Sequence, residues 1–458
     1  MTLDKEKILD NKSMKAFIKK ILSHKILIAS IVIFFIILFF NLSKVFYSCL
    51  SLYFFIGELI SGKDCINFVD FFLEYWVATI YLIFFIVFFL IMILKKDTSN
   101  NKRSFIFTKR IKEEYKNNKY FRFSLLAIYT IISIGFLAPF ISPHDPYKIN
   151  SISVTKYLPP LSKVKYISFN EYLFDGYSYE NNNDLSIKYK SKIQPKLNTF
   201  YYDSLKVVND KIIFYQGSRI KEYSARDLNL ETAQVNSTIF VLGTDSYGRD
   251  ILSRIIYGTR VSLGIAFIAS IVSLFLGVLL GLISGYYNRL IDSFIMRITD
   301  VFLAFPVIFL LLIIVAFWGN SFIYLAIFIG ITTWMDIARL TRTQVITVKK
   351  EMYVTSLIAL GFKPSRILSK HILPNIITPI IVNIIFRIGT IILMESALSF
   401  MGLGINEPIP SWGSIINNGK DNLLNAWWVS LFPGITISSI VLLFNYIGDC
   451  MRKIIKVR

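Results

Sequence analysis

Residues 353–375, YVTSLIALGFKPSRILSKHILPN, form a polar and basic interruption in the most apolar half of the chain. Gly361 divides this stretch, which we call the hook, into two short helical pieces. Pro364 suits the first turn of the second piece, where its missing N–H costs nothing. Apolar side chains recur at helical spacing in both pieces: Val354, Leu357, Ile358, Ile367, Leu368 and Ile372. A short helical hook with an apolar face is suited to docking in a groove of another protein.

The composition indicates a membrane protein. Of the 458 residues, 54% are hydrophobic and only 17% are charged, and the mean hydropathy is +0.55. Several apolar runs approach the ~20 residues that a helix needs to cross a bilayer. The net charge is +20, but the basic residues cluster beside apolar runs, where they orient membrane helices, and no nucleic-acid motif accompanies them. We therefore expect membrane lipid, and no nucleic acid, as a partner.

Eight apolar runs are predicted to cross the membrane as helices, because strands would need a closed barrel and an alternating pattern that the sequence lacks. The runs span residues 26–40, 71–94, 123–141, 260–285, 296–318, 320–338, 376–400 and 426–448. The basic segments at the N-terminus, at 95–122, at 340–375 and after Cys450 then all lie on one side. The basic-inside rule assigns that side, and with it both termini, to the cytoplasm.

The predicted fold class is all-α, with five segments along the chain. In order, these are an N-terminal extension with two spans (1–95), a basic cytoplasmic linker (96–122), the first core span (123–142), an extracytoplasmic insertion (143–240) and a five-span core (241–458). The insertion is rich in Tyr, Asn, Ser and Lys and has short alternating stretches, so we expect mixed or β-leaning structure there. The core includes a cytoplasmic loop at 340–375.

Small and aromatic residues in the spans predict packing and anchoring. Glycine recurs at every fourth position in the span at 260–285, at Gly277, Gly281 and Gly285. This spacing lets helix backbones approach closely, either within the chain or in contact with a second membrane subunit. Aromatic residues near span ends fit anchoring at the membrane interface: Trp334, Trp427 and Trp428.

The cysteines do not indicate a metal or redox site. Their spacing, Cys49, Cys65 and Cys450, matches no known ligand motif, so no cofactor is expected. Cys49 and Cys65 fall on the outside in the predicted topology and either form a disulfide or remain free thiols.

From Leu242 onward the chain contains a series of ordered blocks: LGTDSYGRDILSRIIYGTRVSLG (242–264), MRITDVFLAFP (296–306), WMDIARLTR (334–342), the hook, and ESALSFMGLGINEPIPSWGSIINNGKDNLLNAWW (395–428). With these blocks the chain closely resembles the inner-membrane permease family of binding-protein-dependent ABC transporters, in the dipeptide, oligopeptide and nickel subgroup. The resemblance covers about 220 C-terminal residues and the span near 123–141.

The resemblance implies a six-helix permease core in a bacterial inner membrane. Such a permease pairs with a second permease subunit and two cytoplasmic ATP-binding subunits, and an extracytoplasmic solute-binding protein delivers its cargo. The hook corresponds to the loop that couples the permease to the ATPase. Its matching positions are Tyr353, Val354, Ala359, Gly361, Pro364, His371, Leu373 and Pro374. The loop departs from the Glu-Ala-Ala opening of the wider superfamily, because Thr355, Ser356 and Leu357 stand there.

The octapeptide GTDSYGRD carries a second set of candidate residues: Gly243, Thr244, Asp245, Gly248, Arg249 and Asp250. It is not a phosphate-binding loop, since the G-x-x-x-x-G-K-[ST] spacing is absent from the whole sequence. ATP is therefore expected to be hydrolysed by another polypeptide, and no catalytic constellation stands out in this one. Thr244 and Asp245 are interpreted as a helix-start signal, with Asp250 near the positive end of that helix. The resemblance places this segment at the outer mouth of the permease.

Arg387 and Glu395 are candidates for the transport pathway, because charge inside an apolar span usually faces water, a partner or a pathway. Eight residues place them on similar helix faces, roughly 12 Å apart along the axis. Arg387 would suit the carboxylate of a bound peptide. Glu395 either shapes the outer gate or lies near the interface. Asp300, Asp336 and Arg339 are interpreted as solvated or paired charges near inner span ends.

The expected function is uptake of di- or oligopeptides through half of a translocation pore. Nickel chelates and other small solutes remain alternative cargoes within the same reading. A membrane receptor or scaffold that binds a partner through residues 143–240 without transport is a less favoured alternative. An ion-coupled transporter would be expected to show more intramembrane charge and inverted repeats.

Overall fold

The computed structural model describes residues 110–111, 113–169, 198–208, 211–224, 234–405 and 407–456. The two predicted N-terminal spans and Cys49 and Cys65 lie outside the described residues. Helices within the described part are α1 Lys119–Phe136, α2 Ala138–Ile141, α3 Ile152–Thr155, α4 Ile251–Tyr286, α5 Arg289–Ala304, α6 Val307–Trp318, α7 Phe322–Ile331, α8 Met335–Lys349, α9 Met352–Ala359, α10 Pro364–Ile367, α11 Leu373–Phe400, α12 Trp412–Gly419 and α13 Trp427–Lys456. A π-helical turn, Leu368–Ile372, joins α10 to α11, and a short 3₁₀ turn, Lys420–Asn422, follows α12.

Six core crossings are compatible with the helices of the described part. Four are long and apolar enough to cross a membrane alone: α1, α4, the continuous Pro364–Phe400 unit and α13. The other two are bent pairs, α5 with α6 at 86° and α7 with α8 at 42°. The single helix predicted at 296–318 is therefore broken into two. Pro306 disfavours helical backbone at Phe305, which is extended, and a new helix starts directly after the proline.

The glycine spacing in α4 serves packing inside the chain. A Cβ on Gly277 would lie 2.6 Å from Cβ of Ile337, and one on Gly281 would lie 2.6 Å from the carbonyl oxygen of Ala338. A Cβ on Gly285 would meet Cβ of Val345 at 2.7 Å. Because all three neighbours belong to α8, the glycines form the α4–α8 seam and do not face a second subunit.

Two of the three tryptophans assigned to the membrane interface lie in the protein core. Trp334 is 5% exposed, and Trp428 is 6% exposed and donates its indole N–H to the carbonyl oxygen of Thr244. The interfacial prediction is wrong for these two, because each packs against neighbouring helices of the same chain. Trp427, which is 49% exposed, is compatible with it.

The described part of the insertion is β-rich, as its alternating pattern predicted. Strands β1 Ser162–Phe169, β2 Asn198–Tyr202 and β6 Gln234–Phe240 form one antiparallel sheet in the order β2-β1-β6. Strands β3 Ser204–Val208, β4 Lys211–Gln216 and β5 Arg219–Ser224 form a second antiparallel sheet in sequence order. Ile212 and Phe214 of β4 are almost fully buried against Ile167 and Tyr202 of the first sheet. The two sheets therefore share one apolar core.

Candidate functional site: hook, outer cluster and membrane charges

The hook has the sharp break that the sequence predicted at Gly361. The backbone of Gly361 is left-handed, with φ of +74°. Its N–H donates to the carbonyl oxygen of Ile358 at 3.0 Å, and Phe362 N–H donates to Leu357 at 3.2 Å. These bonds satisfy carbonyls at the end of α9, as a glycine-terminated helix does. Pro364 then stands in the first turn of α10, where it was expected.

The apolar face of the hook packs against its own chain. Val354, Ile367 and Ile372 have no exposed surface and join Tyr286 and Ile376 in one buried cluster. Much of the face that was predicted to dock in another protein is therefore covered by the chain itself, because helical periodicity identifies a buried face but not what covers it. Ile358 of the same face remains exposed. Four large apolar side chains at the start of the hook and directly before it are exposed, and we call them the hook surface: Met352 at 83%, Tyr353 at 44%, Ile358 at 40% and Leu360 at 74%.

The remaining hook residues divide between the surface and the base of α11. Ala359 and Pro374 are exposed, and Leu373 is half-buried. The side chain of Asn375 donates to Oη of Tyr353 and to the carbonyl oxygen of His371, both at 2.7 Å. These two bonds tie α9 to the start of α11. The hook is thus a compact unit and not a loose loop.

At the other predicted site, two glycines permit a close approach of the GTDSYGRD segment to residues 155–158. Gly243 has φ of +80°, and a Cβ there would lie 2.4 Å from the carbonyl oxygen of Leu158. Gly248 has φ of +71°, and a Cβ there would lie 2.0 Å from Oγ1 of Thr155. Both the conformation and the space require glycine.

The helix-start signal lies later than predicted. Asp250 is the N-cap of α4, and its carboxylate accepts from the N–H of Ser253 at 2.9 Å. Thr244 instead bridges to the insertion: its hydroxyl accepts from Leu158 N–H at 2.8 Å and donates to the carbonyl oxygen of Thr155 at 2.5 Å. The prediction for Thr244 and Asp245 is wrong, because Thr244 is used by these tertiary contacts and the Asp245 carboxylate accepts from the N–H groups of Tyr247 and Arg249 in the turn before α4.

A buried charge network fixes this segment to a distant loop, and we call it the outer cluster: Asp245, Arg249, Arg254 and Glu407. Arg249 Nε donates to Asp245 at 2.8 Å, and its Nη1 donates to Glu407 at 2.6 Å. Arg254 Nη2 lies 3.1 Å from Oε1 of Glu407. Arg249 and Arg254 are 2% and 0% exposed, so each guanidinium depends on these carboxylates for compensation.

Glu407 holds an ionised carboxylate at the edge of the outer cluster. Burial alone would raise its pKa, but the neighbouring guanidinium groups of Arg254 and Arg249 outweigh burial and hold the pKa below its ordinary value. Asn418 adds a donated hydrogen bond at 2.8 Å. Glu407 lies within the 395–428 block, but no pattern there predicts its role, because its partners lie about 150 positions away in the sequence.

Arg387 and Glu395 turn to different neighbours. The Arg387 side chain donates to Asp336 of α8 at 2.6 Å. Glu395 has no exposed surface, and its carboxylate accepts from the hydroxyls of Ser262 at 3.0 Å and Ser399 at 2.7 Å. Glu395 therefore joins α4 to α11 inside the protein and does not line an open surface.

The charges interpreted as solvated or paired are paired. Asp336 accepts from Arg387, and Arg339 forms an ion pair with Asp300 of α5. Among the described residues, no group of three or more His, Cys, Asp or Glu side chains is arranged to hold a metal ion.

Long apolar helices with a compact hook between two of them are the architecture of a protein that crosses the membrane several times. Residues 277–458 match the family described as binding-protein-dependent transport system inner membrane component. Residues 107–160 match the N-terminal TM domain of oligopeptide transport permease C.

The chain is also similar in sequence to named permease proteins of other bacteria. A dipeptide transport system permease protein, DppC, of Alkalihalophilus pseudofirmus is 45% identical over 210 residues, which are 46% of this chain and 69% of the relative. A glutathione transport system permease protein, GsiD, of Pectobacterium atrosepticum is 39% identical over 211 residues, which are 46% of this chain and 70% of the relative. The chain belongs to the binding-protein-dependent permease family of ABC transporters.

Among solved structures, the inward-facing MetNI methionine ABC transporter is similar over 44% of this chain and 97% of its own chain, with 17% identity and a TM-score of 0.38.

Proposed function

We propose that the chain is one of two permease subunits that together form the pore of an ATP-driven importer of di- or oligopeptides. The named relatives support this cargo, since they include permeases of dipeptide, di/tripeptide and oligopeptide transport systems. The partners are a second permease, two cytoplasmic ATP-binding subunits and an extracytoplasmic solute-binding protein. The chain itself hydrolyses no ATP in this scheme.

The hook surface is the proposed contact with the ATP-binding subunit. Its four large apolar side chains are exposed although the hook has a buried face of its own, and such exposed apolar patches are typical of protein interaction sites. Closure of the ATPase pair on ATP would displace the hook. Because Val354, Ile367 and Ile372 are packed without exposed surface into the base of α11, the helices above would move with it.

The proposed topology has the hook, the 96–122 linker and both termini in the cytoplasm. From the hook, α11 crosses outward and α13 crosses back, so the C-terminal tail returns to the side of the hook. On this orientation the outer cluster and the insertion at 143–240 lie outside the membrane. The division into extension, linker, first span, insertion and five-span core follows the same orientation.

The exposed hook surface carries this proposal, and crosslinking tests it. Met352→Cys, labelled on its thiol with a benzophenone maleimide, should form a photocrosslink to the ATP-binding subunit in intact cells. Leu424→Cys is the matched control, because Leu424 is an aliphatic residue that is 95% exposed in the loop between α12 and α13. Crosslinking of both variants, or of neither in a properly inserted protein, would contradict the coupling assignment.

The cargo is tested by reconstituting the complete complex in proteoliposomes with its solute-binding protein. ATP-dependent uptake of trialanine is expected, and nickel chelates should not compete. Uptake of nickel without peptide uptake would replace the proposed cargo by a metal chelate.

A further inference from the structure

Two neighbouring membrane helices present a polar face. In α8 the exposed positions at helical spacing are polar, namely Asp336, Arg339, Thr343 and Thr347. In the middle of α11 three half-buried or exposed polar residues also fall on one face, namely Asn383, Arg387 and Thr390. Lipid-facing helix surfaces are apolar, so this face is directed towards water or a polar occupant.

Arg387 lies near the middle of its span. It is separated from the two ends of α11, Leu373 and Phe400, by similar lengths of helix, each about 20 Å at 1.5 Å per residue. Its hydrogen bond to Asp336 fixes the carboxylate at the same depth. Asp336 likewise lies near the middle of the bent α7–α8 pair, residues 322–349, and not near an inner span end as the sequence predicted, because α8 continues to Lys349. An ion pair at this depth is costly, and such charges usually mark the route of a substrate or an ion.

The two partners of this pair differ in exposure. The Arg387 side chain is 12% exposed, whereas that of Asp336 is 57% exposed. The carboxylate is therefore reachable from the open side, and the guanidinium lies behind it. A guanidinium carries five N–H donors, so Arg387 can hold one carboxylate while a second approaches.

We propose that the Arg387–Asp336 pair is a charge site for cargo in the transport pathway, which favours solutes that carry both a carboxylate and an ammonium group. The cargo carboxylate takes the place of Asp336 on Arg387, and the cargo ammonium group neutralises Asp336. The exchange leaves no bare charge within the membrane, since each protein charge keeps an opposite partner throughout. This inference rests on the proposed importer function and specifies its substrate class.

Charge reversal in the reconstituted complex tests the site. The probes are the peptides Ala-Lys-Ala and Ala-Glu-Ala. The measured quantity is the ratio of their uptake rates in each variant, divided by the same ratio in wild type. The preference of the solute-binding protein cancels in this comparison, because it is the same for every variant. Arg387→Glu should raise the Lys-to-Glu ratio by about tenfold, and Asp336→Lys should lower it by about tenfold, which corresponds to ~1.4 kcal/mol. The double variant Asp336→Arg/Arg387→Asp should restore the wild-type ratio.

Two variants control for structural damage. Arg387→Lys keeps the charge and should hold the ratio within about twofold of wild type. Lys211→Glu reverses one partner of an exposed pair with Glu222 in the insertion and should leave the ratio unchanged. Equal loss of uptake for both peptides in both reversal variants would show that the pair only holds the helices together. Wild-type protein that takes up neither peptide would instead contradict the importer function itself.

Discussion

Gly361 offers the sharpest test of the coupling role, because the energetic effect of its substitution can be worked out in isolation. A Cβ at Gly361 would meet nothing within 4 Å, so alanine causes no clash. The cost of Gly361→Ala is then the left-handed backbone alone, about 1–2 kcal/mol for an L-residue. Relief of this strain would straighten the turn between α9 and α10 and displace the hook surface.

Gly402, two residues after the end of α11, is a matched control. Its φ is +81°, close to the +74° of Gly361, and a Cβ there also meets nothing within 4 Å. The N–H groups of Gly402 and of the next residue donate back into the last turn of α11, as those of Gly361 and Phe362 do in α9. Both alanine variants should therefore lower the free energy of unfolding by a similar amount, about 1–2 kcal/mol. Only Gly361→Ala should raise the number of ATP molecules hydrolysed per peptide imported, measured in proteoliposomes containing the complete complex.

Gly361→Pro extends the series. Proline is restricted to φ near −65° and lacks the N–H that Gly361 donates to Ile358 at 3.0 Å. This variant should remain in the membrane, hydrolyse ATP and import no peptide. The reasoning is refuted if Gly361→Pro imports normally, or if Gly402→Ala and Gly361→Ala change the ATP-to-peptide ratio equally.

Three further predictions test the outer cluster, the helix seam and the polar face. Glu407→Gln should lower stability by about 1–2 kcal/mol near neutral pH, after allowance for solvent screening. The native pKa of Glu407 is depressed, so its contribution to stability is present above the unfolded-state pKa and disappears as the pH falls through the native pKa. The melting temperatures of wild type and variant should therefore converge in acid. A difference in melting temperature that stays constant with pH would contradict this. Gly281→Ala should lower the melting temperature, because the added Cβ would lie 2.6 Å from the carbonyl oxygen of Ala338. Gly434→Ala should not lower it, since a Cβ there meets nothing within 4 Å. Equal melting temperatures of the two variants would count against the α4–α8 seam. Thr390→Cys should react with a charged thiol reagent and Phe275→Cys, 66% exposed on α4, should not, and the reverse pattern would place the polar face in lipid.

The parts of the structure that were predictable from sequence are those set by local rules. Hydropathy gave the core spans, and the glycine at 361 gave the left-handed break in the hook. Asp250 was recognised near the start of α4, which it caps. The bend at Pro306 was missed, because a hydropathy run averages over one proline that still controls the backbone of the residue before it.

The parts that were not predictable depend on contacts between distant residues. Nothing near Arg249 in the sequence indicates Glu407, yet their side chains meet at 2.6 Å. Similarly, the periodicity of the hook indicated a buried face around Val354, but the same pattern results whether a partner or the chain itself covers that face. Single-chain patterns therefore predicted elements better than pairings.

The hook and the proposed charge site are connected through continuous packing. Hook residues such as Ile372 share a buried cluster with Ile337, the neighbour of Asp336 in α8, and with Ile380 of α11, two turns before Arg387. The two members of the ion pair thus lie on different helices, and the hook connects these helices at their base. A hydrogen bond of 2.6 Å is lost beyond about 3.5 Å, so a relative shift of α8 and α11 by about 1 Å is sufficient to separate Asp336 from Arg387. Displacement of the hook by the ATP-binding subunit would then expose both charges to cargo in one state and pair them with each other in the next. The affinity of the pathway for zwitterions would thereby follow the nucleotide cycle.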